Sequence, residues 1–221
     1  VLRHIVSFRE KHPNVKFKLS VTDHSTAVRA LIDYEMDIVL IFRPLRSSEL
    51  HPIMSIGQGL VAVMAADHPL AQHEVLRLRQ CAEYDVAMPD MAFGGREIVE
   101  NRLLSSSAKL NVAVEANSFD FLGELVAGGD LITFQIDIGA DVWRHDPRFA
   151  VRRISDIDRT YGPLVLGQLK GRPLPLVAAK FAEQMARDLH ECRSLPTLPG
   201  AAEWSMDEDD DDAAHGFTLD A

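Results

Sequence analysis

The sequence predicts an α/β fold on a largely parallel sheet, and three observations predict it. Segments with helical apolar spacing alternate with short apolar strands along the whole chain. At residues 28–44, VRALIDYEMDIVLIFRP, a helix passes into a buried strand with only a turn between them. A second copy of that junction follows later in the chain.

The elements read as follows. Leu2, Ile5, Val6 and Phe8 recur at helical spacing until His12-Pro13 stops the helix. Val15 to Val21, VKFKLSV, alternates like a strand with Lys16, Lys18 and Ser20 on one face. Polar residues 22–25 lead into a helix from Thr26 to about Tyr34, and Ile38–Phe42 forms a fully buried strand. SIGQGLVAVMAA is apolar enough for another strand. ADHPLA makes a turn in which Pro69 is tolerated, followed by a helix and a short strand around Val86. A loop at FGG opens a helix from Arg96 to Leu104, then LNVAVEANS gives a strand and loop. FDFLGELVAG is a helix, and DLITFQI, FAVRRISD and YGPLVLGQL are strands. The stretch from Pro175 to Cys192 is a long amphipathic helix.

The repeated unit aligns VKFKLSVTDHSTAVRALIDYEMDIVLIF with LNVAVEANSFDFLGELVAGGDLITFQI. Ser25 precedes Asp37 by 12 positions, and Ser118 precedes Asp130 by 12. Each serine is read as a helix N-cap, because its hydroxyl can accept from an orphan main-chain N–H. Each aspartate is read as a turn residue. Gly128-Gly129 can end the second helix, whereas Tyr34-Glu35-Met36 must turn without glycine. In parallel sheets the loops at the carboxyl ends of strands, with the helix N-termini they feed, form a ligand crevice that favours anions.

Bulk properties narrow the classes. The 221 residues suffice for one large domain or two lobes, and no apolar run approaches the length of a membrane span. Cys81 and Cys192 are far apart in sequence, which favours a reducing compartment over a disulfide scaffold. The net charge of −10 is concentrated beyond Leu198 in eight acidic residues, including the run Asp207–Asp212. The remaining 25 acidic and 23 basic residues nearly balance, so the body has no basic face to grip phosphates. Residues 192–221 are expected to be a disordered acidic tail. The chain opens at Val1 inside an apolar-periodic stretch and reads as a piece of a longer protein.

Enzyme signatures are missing. There is no G-x-S-x-G, H-E-x-x-H, P-loop or G-x-G-x-x-G, and GQG at 57–59 lacks the rest of a phosphate motif. His68 and His73 have no partners that would complete a metal set. No enzymatic activity, cofactor or metal is expected.

The ordered set FREKHPNVKFKL, STAVRALIDYEMDIVL, ADHPLA, LVAGGDLITF, FAVRRISD and KFAEQMARDL resembles the effector-binding domain of LysR-type transcriptional regulators. The resemblance covers Val1 to Glu191. It implies two Rossmann-like lobes joined by two crossover strands, the type 2 periplasmic-binding-protein fold. Lobe I would comprise 1–58 and 138–191, and lobe II 59–137. It also implies an N-terminal winged helix-turn-helix absent from this chain, through which the parent would bind DNA. It further implies a small, anionic effector in the inter-lobe cleft, a homodimer that forms a tetramer in the intact regulator, and a cytoplasmic location without membrane contact. Glu35 and Met36 stand where the family usually has a glycine, and Asp130 and Gln135 depart from its later pattern.

By position, the resemblance assigns Thr22, His24, Ser25, Thr26 and Arg43 to the lobe I wall of the cleft. Phe93, Gly94, Asn117 and Ser118 fall on the lobe II wall, and Thr133, Phe134 and Gln135 lie near the crossover. Arg43 can pair with a carboxylate. A solute-binding protein of a transport system is the alternative, separated from the regulator by what precedes Val1. An interaction module without ligand is a third reading, favoured by a plugged cleft.

Overall fold

The computed structural model describes residues 1–43, 48–91, 93–104, 109–158 and 160–191. The expected acidic tail, and Cys192 with it, lie outside the described residues.

Strand β2 (Leu50–Ala65) is the axis of the fold. Its first part pairs antiparallel with β8 (Tyr161–Leu169), which carries β1 (Ile38–Phe42) on its other edge. Its last part pairs antiparallel with β6 (Thr133–Ile136) and β7 (Phe149–Ile154). Strand β3 (Val75–Leu76) adds to β7 in parallel. Strands β4 (Asp85–Pro89) and β5 (Asn111–Ala116) form a separate parallel pair, bridged in parallel from Val86 to Ile132. The expected largely parallel sheet is therefore corrected: the pairs along β2 are antiparallel. One long strand threads both lobes, and the chain returns beside it three times.

Side chains of β2 alternate between faces, as the two-residue period of a strand requires. Leu60, Ala62 and Met64 enter one cluster, with Met88, Ile98 and Phe134. Val61 and Val63 enter the other, with Leu122, Val126 and Trp143. Nearer its start, Met54 and Ile56 pack with Leu164, Leu166 and Phe181. The rings of Phe8 on α1 (Leu2–Lys11) and Phe181 on α7 (Leu176–Glu191) meet edge to face at 5.3 Å. On the opposite face of that sheet, Leu31 of α2 (His24–Ile32) packs with Val39, Ile41, Leu50 and Leu169.

The remaining helices are α3 (Leu78–Cys81), α4 (Gly94–Leu104), α5 (Phe119–Val126) and α6 (Asp141–Arg144). Gly123 lets α5 lie against α6: a Cβ there would stand 2.7–2.8 Å from three atoms of the Trp143 indole. No helix among the described residues is long and apolar enough to cross a membrane.

Two expectations change. Residues 15–21 are not a strand. Val15 and Phe17 still turn inward onto the Phe8 cluster, but Leu19 and Val21 are exposed. The alternation is present without a strand to complete its hydrogen bonds. β1 is not fully buried: Val39 and Ile41 are, while Ile38, Leu40 and Phe42 are half-buried. β7, which the expected layout assigns to lobe I, hydrogen-bonds along residues 61–65 of β2 and 75–76 of β3.

Candidate functional site

Register places four loops at one level of the molecule. Phe42, the last residue of β1, and Ile56 of β2 both face Leu164, so β1 ends where β2 leaves lobe I. A tight turn at 33–37 reverses α2 against β1, which brings the N-terminus of α2 to that same end. In the second lobe Ile136, the end of β6, faces Leu60. Helix α5 runs back along β6, and β4 and β5 run parallel to it, so α4 and α5 also begin at the crossover. Three helix N-termini thus lie at the level of the crossover, and helix N-termini carry N–H groups without intrahelical partners.

The lobe I wall is organised by Asp23 rather than Ser25. Asp23 is the N-cap of α2. One carboxylate oxygen accepts from the Ser25 hydroxyl at 2.5 Å and the Thr26 main-chain N–H at 2.9 Å. The other accepts from the hydroxyls of Thr26 at 2.6 Å and Thr22 at 3.4 Å. Ser25 is therefore a donor to the cap, which corrects its expected role. The Ser25 and Thr26 hydrogen bonds hold the Asp23 carboxyl well below the usual carboxylate range. A fixed negative charge already answers the α2 N-terminus. Beside it, burial lowers the His24 pKa, partly opposed by the charge of Asp23. His24 Nδ1 is enclosed without a hydrogen-bond partner among the described residues.

Arg43 follows β1 in a left-handed conformation, φ 49°. Its stem lies on Gly162, where a Cβ would come within 2.5 Å of Arg43 Cγ. Its guanidinium reaches across to Glu97 on α4, 3.9 Å away. Gly94 sits under the same residue: a Cβ there would meet the Phe42 carbonyl oxygen at 2.9 Å. The two walls touch at this point.

On the lobe II wall, Phe93 stacks edge to face on Phe119 at 5.4 Å and its N–H donates to the Asp90 carbonyl. Buried Arg96 braces the start of α4, donating to the Pro89 carbonyl and pairing with Glu100 and Glu115. Asn117 and Ser118 are exposed, and Ser118 caps α5 by accepting from the Phe121 N–H. Thr133, Phe134 and Gln135 lie differently. Phe134 belongs to the hydrophobic cluster around Leu60. Thr133 is enclosed, with no partner for its hydroxyl among the described residues. Gln135 turns back to accept from the Ile136 N–H and packs on Gly139.

The structure thus brings together Thr22, His24, Ser25 and Thr26 on one helix end. It gathers Arg43 with Gly94 across the cleft, and Phe93 with the Asn117–Ser118 turn. Sequence reasoning missed Asp23, Glu97 and Phe119. Only Asp23 had a local signal, an acidic residue three positions before Thr26 at a helix start.

Chemically, these loops carry the N-terminus of α4, that of α5 with its Ser118 cap, and the Arg43 guanidinium beside Glu97. A two-lobed ligand-binding domain of the type 2 periplasmic-binding-protein kind is the class this arrangement defines.

The chain belongs to the LysR substrate-binding domain family, whose model matches residues 1–189. It is 30% identical over 125 residues to the uncharacterized HTH-type transcriptional regulator YeiE of Escherichia coli K12. That match takes in 57% of this chain and 42% of the relative, so the chain spans less than half the length of that protein. Two solved structures share the fold. One is the regulatory domain of CcmR from Synechocystis PCC6803 in complex with 2-PG, with TM-score 0.70 and 20% identity over 85% of this chain and 89% of that one. The other is the effector-binding domain of QuiR in complex with shikimate, with TM-score 0.68 and 16% identity over 86% and 90%. Curated relatives that the chain matches are described as transcriptional regulators, among them YeiE and a probable nitrogen assimilation transcriptional activator of Synechococcus elongatus.

Proposed function

We propose that the chain senses a small anionic effector in the inter-lobe cleft and passes the signal to a DNA-binding domain of its parent protein. The observation that carries this reading is the convergence of the α2, α4 and α5 N-termini at the crossover, with Arg43 between the walls. The anionic group is received by α4, α5 and Arg43. Hydroxyl or amine groups of the effector face Asp23 and His24. The complexes of two similar domains with 2-PG and shikimate support a small ligand of this kind.

Lobe I is formed around β1, β8 and the first part of β2, and lobe II around β4 to β6 and the last part of β2. We assign β7 to lobe II on its pairing with residues 61–65. Effector binding favours one degree of lobe closure, and a ligand shifts such an equilibrium only by its differential affinity for the two states. The chain works as a homodimer, within a tetramer of the intact regulator, in the cytoplasm.

A calorimetric screen of small carboxylates and phosphorylated acids tests the reading. For a compound that binds, Arg43→Ala weakens affinity by ~1–3 kcal/mol, the range for a hydrogen bond to a charged group. Unchanged affinity in that variant removes Arg43 from the site. Sedimentation that finds only monomer at high concentration removes the dimer.

A further inference from the structure

We propose a second anion site outside the cleft, on the face of lobe II formed by α6, β7 and the turn before β3, taking a small doubly charged oxyanion of the phosphate type. An open groove of about 750 Å³ runs there. Its basic lining comprises Arg144, Arg152, Arg153, His73 and His145. None of the residues assigned to the effector cleft lines it.

The acidic residues in the groove do not cancel this charge evenly. Asp137 pairs with Arg144. Asp141 faces Arg3 of α1 at 3.7 Å. Glu74 is exposed at the rim. Arg153 has an exposed partner, Asp156 at 3.6 Å, in a contact that solvent screens.

Arg152 differs from these. It is half-buried and has no carboxylate within ion-pair distance among the described residues. Its Nε and Nη2 donate to the Ala71 carbonyl at 2.9 and 2.6 Å, and Nη1 donates to the Val151 carbonyl at 3.0 Å. Three of the five guanidinium N–H groups are thereby used, and they anchor the plane rigidly. The remaining two, one on each terminal nitrogen, are left to donate to oxygens of a phosphate or carboxylate. An oriented guanidinium with an uncompensated charge, in a groove with Arg153 and two histidines beside it, is a receptor for an oxyanion.

The test is titration of the full chain with inorganic phosphate at low ionic strength, followed by calorimetry and by phosphorus NMR line width. Saturable binding is expected, displaced by sulfate and not by neutral trimethyl phosphate. Arg152→Lys keeps the charge and loses the guanidinium, and weakens binding by roughly fivefold to tenfold. Arg153→Gln weakens it as well and leaves the Arg152 anchors untouched, so it decides the matter if Arg152→Lys does not fold. Arg187→Gln, on α7 and outside both the groove and the cleft, leaves phosphate binding as it was. No saturable binding, or binding unmoved by both groove variants, overturns the proposal. Loss of binding in Arg43→Ala alone also overturns it, by placing the phosphate in the cleft.

Discussion

Replacing Asp23 with alanine separates the two candidate caps of α2. In the structure Asp23 accepts from one main-chain N–H and three hydroxyls, while Ser25 accepts nothing from the helix and donates to Asp23. Loss of an N-cap costs ~0.5–2 kcal/mol, typically about 1. Asp23→Ala also strands the Ser25 and Thr26 hydroxyls, but these are exposed and turn to water, so the cap value stands as the expectation. Ser25→Ala removes one donor from an exposed carboxylate and costs less than ~0.5 kcal/mol. Urea denaturation at neutral pH reads both. The carboxylate adds a pH signature. Its folded pKa lies below the unfolded value of 3.8, so its contribution is present above that value. The contribution is lost as pH falls below 3.8 toward the folded pKa. The stability difference between wild type and Asp23→Asn therefore shrinks in acid. A Ser25→Ala variant as unstable as Asp23→Ala, or an Asp23→Ala variant as stable as wild type, refutes Asp23 as the cap.

Three further outcomes follow from buried groups. His68 is 4% exposed, accepts from the Leu70 N–H, and burial lowers its pKa. The neutral ring is thus favoured in the fold, and stability declines as pH falls below the unfolded value of 6.5. The decline is flattened in His68→Gln, and identical pH slopes in the two proteins contradict the assignment. Gly123→Ala drives a methyl into the Trp143 indole and costs ~1–3 kcal/mol by overpacking, read by urea midpoint. Full stability would mean that α6 can move away freely. Burial pushes the Cys81 thiol up to about 12, so in a Cys192→Ser background it resists a thiol reagent at pH 8 until denaturant is added, and rapid native labelling contradicts that burial.

Local chemistry was readable in the sequence, and pairing was not. Ser118 caps its helix as expected from its place before an apolar helical pattern. Ser25, at the matching position, does not, because Asp23 two residues earlier supplies a stronger acceptor that reaches the Thr26 N–H. Arg43 could be placed at the end of a buried strand. Its left-handed backbone and its seat on Gly162 depend on β8, far along the chain. The direction of the sheet failed for the same reason. The alternation of apolar residues in β2 specifies which face each side chain takes, but nothing local says that β6, β7 and β8 all return antiparallel to it. Thr133 and Phe134 were assigned to the cleft by position. A strand whose neighbours cover both faces turns such residues inward.

The crossover and the cleft mouth differ in strength, and that difference lets a small ligand act on the whole domain. At the crossover, Gln58 is 7% exposed; its amide accepts from the Ile138 N–H at 3.0 Å and donates to the Gly57 carbonyl. Asp137 donates its N–H to Gly59, and Leu60 donates to Thr160. Each such bond, buried, costs ~1–3 kcal/mol to leave unmade, so the lobes cannot separate by unzipping here. Gly57, Gly59 and Gly162 surround Gln58 with main chain that can change its dihedral angles while the bonds hold. Across the mouth, the Arg43–Glu97 pair is 3.9 Å long between partners 35% and 51% exposed, which makes it worth ~0–1 kcal/mol. Gly94 against Phe42 is a contact of shape without a side chain to lock it. An effector whose affinity differs by a few kcal/mol between open and closed states therefore outweighs what holds the mouth, and leaves the hinge intact.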